Sequence, residues 1–344
     1  MLELNKLYCM DCMDGMKEFT DGIVNCCVTS PPYFGLRDYK VDGQIGLEQT
    51  PEEYVAKLVD VFREVRRVLR DDGTLWLNLG DSYAGSGKGS AAYPEHAGDK
   101  QGSNKGTVGC RKITAVHYDR EPKNLLGIPW RVAFALQADG WYLRSDIIWA
   151  KTNPMPESVK DRPTKAHEYV FLLSKSRRYY YDAGAIAEPV SDSTIERVSQ
   201  DVENQAGSDR VPGKTNGNMK AVVSVRYGGK KYTENPEQFY RTKSGNLYDY
   251  RPRRNKRSVW SIATQPFKEA HFAVFPEKMV EPCVLAGCPV GGVVLDPFMG
   301  SGTTAKVALE NGRNYIGFEL NPDYVKIAEK RLVGTDIPLP LETV

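Results

Sequence analysis

Two short segments combine residue types that suit the binding of an amino group and of a small polar ligand. The first, Thr29 to Tyr33, reads TSPPY, and the second, Asp296 to Thr304, reads DPFMGSGTT. In the first, the serine hydroxyl and the proline carbonyls can accept hydrogen bonds from an amino group, and the prolines also hold the backbone in place. The tyrosine adds a flat face on which a planar ring can stack. A rigid turn that binds nothing is the alternative for this segment.

The glycines of the second segment allow a ligand to approach the backbone closely. Gly300 and Gly302 lie between a predicted strand and a predicted helix, where doubly wound sheets bind nucleotides. The next predicted strand ends at Glu319, whose carboxylate can bind ribose hydroxyls. Neither GxGxxG nor GxxxxGK(S/T) occurs, which favours a nucleoside without phosphates, such as S-adenosylmethionine. A glycine-rich turn without a ligand is the alternative.

Alternating strand and helix patterns place the first segment at the end of a predicted strand. Apolar runs at Leu7 to Met10 and at Ile23 to Thr29 predict two strands. Pro51, followed by two glutamates, begins a long helix with apolar residues at helical spacing. We expect Asp71 to Gly73 to end this helix and Thr74 to Leu79 to form the next strand.

The same alternation continues through the rest of the chain. The further predicted elements are a helix over Ile128 to Asp139, strands over Tyr142 to Trp149 and Glu168 to Ser174, a helix from Pro276, a strand at Val293 to Asp296, a helix over Thr303 to Asn311, a strand over Tyr315 to Leu320 and a helix over Asp323 to Leu332. This order predicts an α/β fold with a mostly parallel sheet and helices on both faces.

Two stretches interrupt the alternation. Residues 85–111 are rich in Gly, Ser, Lys and Asn, which predicts a long mobile loop beside a site. Residues 183–259 hold few long apolar runs, and their most basic part is Arg251 to Arg257. The predicted division of the chain is therefore a first catalytic part, 1–182, an insertion, 183–259, a second, cofactor-binding part, 260–335, and a tail, 336–344.

The two motifs and their order resemble those of a known enzyme family. VTSPPY is similar to the catalytic motif of DNA methyltransferases that act on cytosine N4 or adenine N6, and DPFMGSGT is similar to their cofactor motif. A catalytic motif that precedes the cofactor motif, with a long insertion between them, resembles the β class of this family. The resemblance covers about Leu7 to Leu332. It implies a Rossmann-like methyltransferase fold, a mixed sheet of about seven strands with an inserted target-recognition region, and S-adenosylmethionine as cofactor.

The resemblance also implies roles for individual residues. The implied catalytic residues are Ser30, Pro31, Pro32 and Tyr33. The implied cofactor-binding residues are Asp11, Thr29, Asp296, Pro297, Phe298, Gly300, Ser301, Gly302, Thr303 and Glu319, with Asp11 at the adenine and Glu319 at the ribose. The residues expected to contact DNA are Arg37, Arg251, Arg253, Arg254, Lys256 and Arg257. A solvated charged face is the alternative for the basic run.

The implied reaction is direct, in-line transfer of a methyl group to the amino group of an extruded base, without a metal ion. Within the family, a serine preceded by a threonine, as at Ser30, is typical of enzymes that act on cytosine N4. Asp or Asn at this place is typical of enzymes that act on adenine N6. We therefore favour cytosine N4, with adenine N6 as the alternative. An inactive DNA-binding protein of the same fold, or methylation of RNA or protein amino groups, are more distant alternatives.

Composition limits the location and the partners. The formal net charge of +2 gives no global preference for nucleic acid, so a DNA-binding surface has to be local. No apolar run is long enough to span a membrane, and the seven cysteines follow no disulfide pattern. We expect a cytoplasmic enzyme of a prokaryote or phage that acts on double-stranded DNA. A cognate restriction endonuclease, and the choice between monomer and homodimer, are left open.

Overall fold

The computed structural model describes residues 3–84, 121–191, 240–241, 247–248, 253–265 and 275–335. The predicted loop 85–111, most of the insertion, Arg251 and the tail 336–344 lie outside these residues. The chain divides into two units, one built from Met1–Tyr181 and Ser258–Val344 and the other from Asp182–Arg257. None of the described helices is both long and apolar enough to cross a membrane.

The described strands and helices follow the predicted alternation. The strands are β1 (Lys6–Cys9), β2 (Val24–Thr29), β3 (Leu69–Leu79), β4 (Tyr142–Ala150), β5 (His167–Ser174), β6 (Glu188–Pro189), β7 (Tyr240–Arg241), β8 (Leu247–Tyr248), β9 (Arg253–Arg254), β10 (Val259–Ser261), β11 (Val293–Asp296) and β12 (Asn314–Glu319). The helices are α1 (Cys12–Lys17), α2 (Pro51–Val68), α3 (Ile128–Ala138), α4 (Glu277–Gly287), α5 (Thr303–Glu310) and α6 (Pro322–Leu332).

Eight of these strands form one sheet in the order β1-β12-β11-β2-β3-β5-β4-β10. β5 runs antiparallel to both of its neighbours, and all other neighbours in the sheet pair in parallel. The predicted mixed sheet is confirmed. Eight described strands take part where about seven were predicted, and the three-residue strand β10 adds to the edge beside β4.

Helices cover both faces of this sheet, as neighbouring side chains in β2 and β3 demonstrate. Cys27 and Leu75 belong to the apolar core that includes the buried side of α2. The adjacent residues Cys26 and Trp76 point to the opposite face, because successive side chains of a strand alternate. There α4 packs so closely that a Cβ added at Gly287 would lie 2.5 Å from Trp76 Nε1 and 2.7 Å from Cys26 Sγ.

Helix α2 begins at the predicted residue, Pro51, but ends earlier than predicted. Its last residue is Val68, and Leu69 already adopts an extended backbone. The expected stop at Asp71 to Gly73 is therefore wrong, and β3 begins at Leu69 rather than at Thr74. The chain passes from helix to strand without a separate turn, so the acidic residues and the glycine lie within the strand.

The chain leaves the centre of the sheet in two opposite directions. It passes from β11 to β12 on one side and from β2 to β3 on the other, while β11 and β2 are neighbours. Such a reversal creates a crevice at the carboxyl ends of the strands, which is the usual ligand site of doubly wound sheets. Both motif segments lie at this crevice, because one follows β2 and the other follows β11.

The second unit ends slightly before the predicted insertion does. Asp182–Arg257 form this unit, whereas Val259 begins β10 of the main sheet. Within the second unit β6 pairs with β9, and β7 pairs with β8, both antiparallel.

Two glycines provide a matched test of the packing below the second motif. Gly302 and Gly127 both precede a helix in a left-handed conformation, with φ of 81° and 68°. A Cβ at Gly302 would lie 3.0 Å from the Cβ of Ala328, whereas a Cβ at Gly127 would meet nothing within 4 Å. We expect Gly127→Ala to lower the free energy of unfolding by about 1–2 kcal/mol, and Gly302→Ala to cost about 1–3 kcal/mol more. Urea unfolding measures the free energy of unfolding of both variants. Equal losses in the two variants would contradict the close packing of Gly302 against Ala328.

Candidate active site

A cavity of about 310 Å³ lies where loops leave the carboxyl ends of β1, β2, β11 and β12. Most residues with a predicted role line it, namely Asp11, Ser30, Pro31, Pro32, Tyr33, Arg37, Pro297, Phe298, Gly300, Ser301 and Glu319. Thr29, Asp296, Gly302 and Thr303 are not among the lining residues. The two motifs, more than two hundred residues apart in sequence, thus share one cavity.

Asp296 joins the ends of β2 and β11 beneath the cavity. Its carboxylate is fully buried, and Oδ1 accepts hydrogen bonds from the Thr29 hydroxyl (2.6 Å) and the Phe298 amide (3.0 Å). Oδ2 accepts a third bond from the Thr304 hydroxyl (2.7 Å). The predicted direct contact of Thr29 and Asp296 with a cofactor does not fit this burial. They hold the two motif segments together instead.

The glycine loop is shaped by Glu319, at the end of β12. The Gly300 amide donates to Glu319 Oε2 and the Asn321 amide donates to Oε1, each at 2.8 Å. Burial raises the pKa of Glu319, while these two backbone bonds oppose the rise. Gly300 has a φ of 54°, and the nearest atom to an added Cβ would be 4.0 Å away. The loop therefore leaves open space where its backbone passes the cavity.

Arg331, on α6, supports the same loop from behind. Its Nη1 donates to Thr303 Oγ1 (2.8 Å) and to Ser301 Oγ (3.3 Å). Its Nη2 donates to Glu277 Oε1, on α4. The hydroxyls of Ser301 and Thr303 thus anchor the loop to two helices.

Asp11 lies in the cavity wall but also caps a helix. The sequence indicates an acidic residue at the end of a strand, whereas β1 ends at Cys9 and α1 begins directly after Asp11. Asp11 Oδ1 accepts bonds from the amides of Met13 (2.8 Å) and Asp14 (3.3 Å). Such a cap satisfies two of the open donors at a helix start.

The Pro-Pro turn after β2 lines the cavity and is bound by a side chain of α2. The Tyr54 hydroxyl, on α2, donates to the Pro32 carbonyl (2.8 Å) and so fixes the turn. Within the described part of the chain, the Pro31 carbonyl accepts no hydrogen bond. Ser30 also lines the cavity, and its Oγ lies 3.5 Å from Tyr33 Oη.

Tyr33 is held by its hydroxyl. Tyr33 Oη donates to Glu168 Oε2 (2.6 Å) and lies 3.1 Å from Asn78 Oδ1. Burial and the Glu168 carboxylate raise the pKa of Tyr33 well above its ordinary value, so the phenol stays protonated. Its ring packs on Gly80, where an added Cβ would lie 2.6 Å from the ring. These contacts therefore fix the orientation of the Tyr33 ring.

Three residues of this cluster are absent from the predicted site. Asn78 and Glu168 bind the Tyr33 hydroxyl region, and Lys151 Nζ forms an ion pair with Glu168 Oε1. All three line the cavity. A signal for two of them exists in the sequence, since Asn78 lies between Leu77 and Leu79 and Glu168 directly precedes the apolar run Tyr169 to Leu173.

The described basic residues of the second unit surround a single carboxylate. Glu188 pairs with Arg254 and Lys256 at 3.6 Å and with Arg257 at 3.1 Å. Arg253 lies on β9 beside Arg254. Contact of this group with DNA phosphates stays a prediction.

The arrangement suits chemistry by positioning. Ser30 and Pro31 offer acceptors, Tyr33 offers a fixed ring, and the Gly300 loop with Glu319 borders the same space. Across residues 3–84, 121–191, 253–265 and 275–335, no group of three or more His, Cys, Asp or Glu is placed to hold a metal ion.

Replacing Asp296 by asparagine should change how stability depends on pH. Burial raises the pKa of Asp296 from its ordinary 3.8 to about 6, against the opposing effect of its three hydrogen bonds. The folded protein thus binds this proton more tightly than the unfolded chain. The resulting stabilisation is complete below about pH 4 and is lost as pH rises through about 6. We expect wild type to lose about 3 kcal/mol relative to Asp296→Asn between about pH 4 and pH 7.

Urea unfolding at a series of pH values measures this difference. Glu310→Gln, an exposed change on α5, should keep the wild-type pH dependence. Parallel pH profiles for wild type and Asp296→Asn would contradict the assignment of a buried, titrating carboxyl at this junction.

Comparisons with known proteins identify the family of the chain. The family model for N6/N4 methyltransferases, described as DNA methylase, matches residues 24–330. The type II methyltransferase M.Cfr9I of Citrobacter freundii is 42% identical over 341 residues, covering 97% of this chain and 90% of that protein. The type II methyltransferase M.SmaI of Serratia marcescens is 43% identical over 329 residues, covering 95% and 90%.

Solved structures show the same fold. The PvuII DNA methyltransferase, described as cytosine-N4-specific, has a TM-score of 0.57 and 17% identity, covering 95% of this chain and 85% of that one. A Thermus thermophilus protein assigned as a DNA modification methylase, complexed with S-adenosyl-L-methionine, has a TM-score of 0.53 and 20% identity, covering 97% and 94%. These identities show the fold alone, and the sequence matches carry the family. The chain belongs to the N6/N4 family of DNA methylases.

Proposed function

We propose that this chain is a site-specific DNA methyltransferase that transfers a methyl group from S-adenosylmethionine to the exocyclic N4 of cytosine. One observation carries the proposal. A single cavity joins the acceptor groups at Ser30 and Pro31 to the glycine loop with Glu319. The family makes DNA the substrate, and the type II relatives suggest a cognate restriction endonuclease as companion.

The residues at the glycine loop fit S-adenosylmethionine. A cavity of about 310 Å³ is in the range of small-molecule sites. Glu319 would bind the ribose hydroxyls, Asp11 the adenine end, and Phe298, Gly300 and Ser301 would enclose the rest. When bound, S-adenosylmethionine supplies a methyl group attached to a positively charged sulfur, and this sulfur is a good leaving group. The acidic Glu319, and the absence of a phosphate-binding glycine pattern, favour such a nucleoside over a nucleotide.

Ser30 and Pro31 would prepare the amino group. The lone pair of a base amine is delocalised into the ring, which makes the amine a weak nucleophile. Hydrogen bonds from its two N–H groups to Ser30 Oγ and to the Pro31 carbonyl would hold it in position for in-line attack. The Tyr54 bond to Pro32 fixes this turn in advance, so little reorganisation accompanies the reaction.

Tyr33 would hold the target base after its extrusion from the duplex. Its hydroxyl is bound to Glu168, and its ring rests on Gly80, so the ring is already oriented. Stacking of a base on an aromatic ring contributes about 1–3 kcal/mol. This contact offsets part of the cost of unstacking the base from its duplex neighbours.

The choice of cytosine rests on Ser30 and is supported by the fold shared with the cytosine-N4-specific PvuII enzyme. An adenine amine could use the same two acceptors, so adenine N6 is the second candidate. Arg37, in the cavity wall, would contact the DNA strand, and Arg253, Arg254, Lys256 and Arg257 would contact phosphates.

The proposal predicts that Ser30→Ala lowers kcat by about 100-fold or more, because one acceptor for the amine is lost while the cofactor loop is unchanged. Transfer of labelled methyl from S-adenosylmethionine to duplex DNA, followed by digestion to nucleosides, measures the rate and identifies the product. Ser174→Ala removes a hydroxyl at the far end of β5, which bonds only locally to the Ser176 carbonyl, and should keep wild-type kcat. Full activity of Ser30→Ala would contradict the acceptor role.

Glu319→Gln should weaken binding of S-adenosylmethionine by about 10-fold or more. Both carboxylate oxygens accept backbone N–H bonds, so the amide NH₂ of glutamine would face a donor and disturb the loop as well as the ribose contact. Calorimetric titration of the purified protein with S-adenosylmethionine measures the Kd. Glu329→Gln, on α6 outside the cavity, is the control. Equal affinity of wild type and Glu319→Gln for S-adenosylmethionine would contradict the assignment of Glu319 to the cofactor site.

A further inference from the structure

A lysine and a glutamate lie in the cavity wall beside the catalytic turn. Lys151 follows β4 and Glu168 is the second residue of β5, and these antiparallel neighbours bring the two together. Lys151 Nζ pairs with Glu168 Oε1, and the two side chains are only 20% and 13% exposed. An ion pair this buried adds little net stability, because the desolvation of both charges opposes their attraction. Its position therefore points to a role at the site.

Glu168 accepts three hydrogen bonds within the protein. Oε1 accepts from Lys151 Nζ, and Oε2 accepts from Tyr33 Oη (2.6 Å) and from Asn78 Nδ2 (3.3 Å). A carboxylate bound in this way is poorly placed to accept a further bond from a substrate. Glu168 therefore acts on the site through Tyr33 and Lys151, whose positions it fixes.

Lys151 has more N–H donors than its contact with Glu168 uses. An ammonium group has three N–H donors, and in the described part of the chain one of them is bonded, to Glu168. Lys151 Nζ also lies 4.8 Å from the ring centre of Trp149, whose indole N–H donates to the Ile262 carbonyl (2.9 Å). The ammonium is thus held at the cavity wall by a charge and by a fixed ring. Two donors are left for a ligand.

We infer that Lys151 donates hydrogen bonds to N3 and O2 on the pairing edge of the target cytosine, with Glu168 as the positioning residue. The inference rests on the proposed function. With the cytosine amine at Ser30 and Pro31, the next two atoms along the edge, N3 and O2, both accept hydrogen bonds and match two donors. Adenine presents one acceptor, N1, and then a C–H, so one donor of Lys151 would lose its partner.

The test compares cytosine with 3-deazacytosine, which keeps the amine and O2 but replaces N3 by a C–H. Each base is placed at the target position of a duplex whose site is located by sequencing DNA from cells that express the protein. We expect the preference for cytosine, as a ratio of kcat/KM values, to be about 10- to 100-fold larger in wild type than in Lys151→Met. The different reactivities of the two amines cancel in this comparison, and so does a general loss of folded protein.

Matched variants separate this role from a structural one. Lys123→Met removes a lysine that pairs with Asp161 away from the cavity, and it should keep the wild-type preference. Glu168→Gln should lower the preference, because Lys151 loses its ionic partner. When turnover of a variant is too slow, competition binding of the two duplexes in the presence of S-adenosylhomocysteine gives the corresponding ratio of affinities, which should change in the same direction.

Two outcomes would overturn the inference in distinguishable ways. An unchanged preference in Lys151→Met, with N4-methylcytosine as product, would refute the lysine contact and leave the proposed function standing. N6-methyladenine as the product of wild type would refute the proposed function, and the cytosine contact with it.

Discussion

The buried hydrogen bond between Thr29 and Asp296 is the contact on which the rest of the site depends. These residues end β2 and β11, the neighbouring strands from which the chain leaves in opposite directions. The same carboxylate accepts bonds from the Phe298 amide and the Thr304 hydroxyl. One side chain thus joins the strand that leads to Ser30 with the loop that leads to Gly300. The distance between the two halves of the cavity is therefore set in the core and not by mobile groups at the surface.

A buried carboxylate is costly, and its three donors offset only part of that cost, as the raised pKa of Asp296 indicates. The benefit is rigidity at a place where the reaction depends on position. The other functional segments are held in the same manner, each by a polar contact from a separate element. Tyr54 binds the Pro-Pro turn, Arg331 binds the glycine loop and Glu168 binds Tyr33. None of these supports is part of either motif.

The continuous motifs could be identified from sequence because their chemistry lies in adjacent residues, and Ser30 to Tyr33 and Phe298 to Ser301 indeed line one cavity. The rest depends on contacts between distant strands. Glu168 contacts Tyr33 because β5 lies antiparallel between β3 and β4. No local sequence pattern predicts this strand order. The strand β10 is too short for a periodic signal. An acidic residue at a strand end, such as Asp296, suits a ligand contact and a core contact equally well, and burial alone distinguishes them.

The most direct test of this account is a crystal structure of the protein with a duplex containing its site and a non-transferable amine analogue of S-adenosylmethionine. The analogue is expected between Glu319 and the Gly300 loop. An extruded cytosine is expected on the Tyr33 ring, with its amine within hydrogen-bonding distance of Ser30 Oγ and the Pro31 carbonyl. An analogue bound elsewhere, or a target amine that contacts neither acceptor, would contradict the proposed methyl transfer.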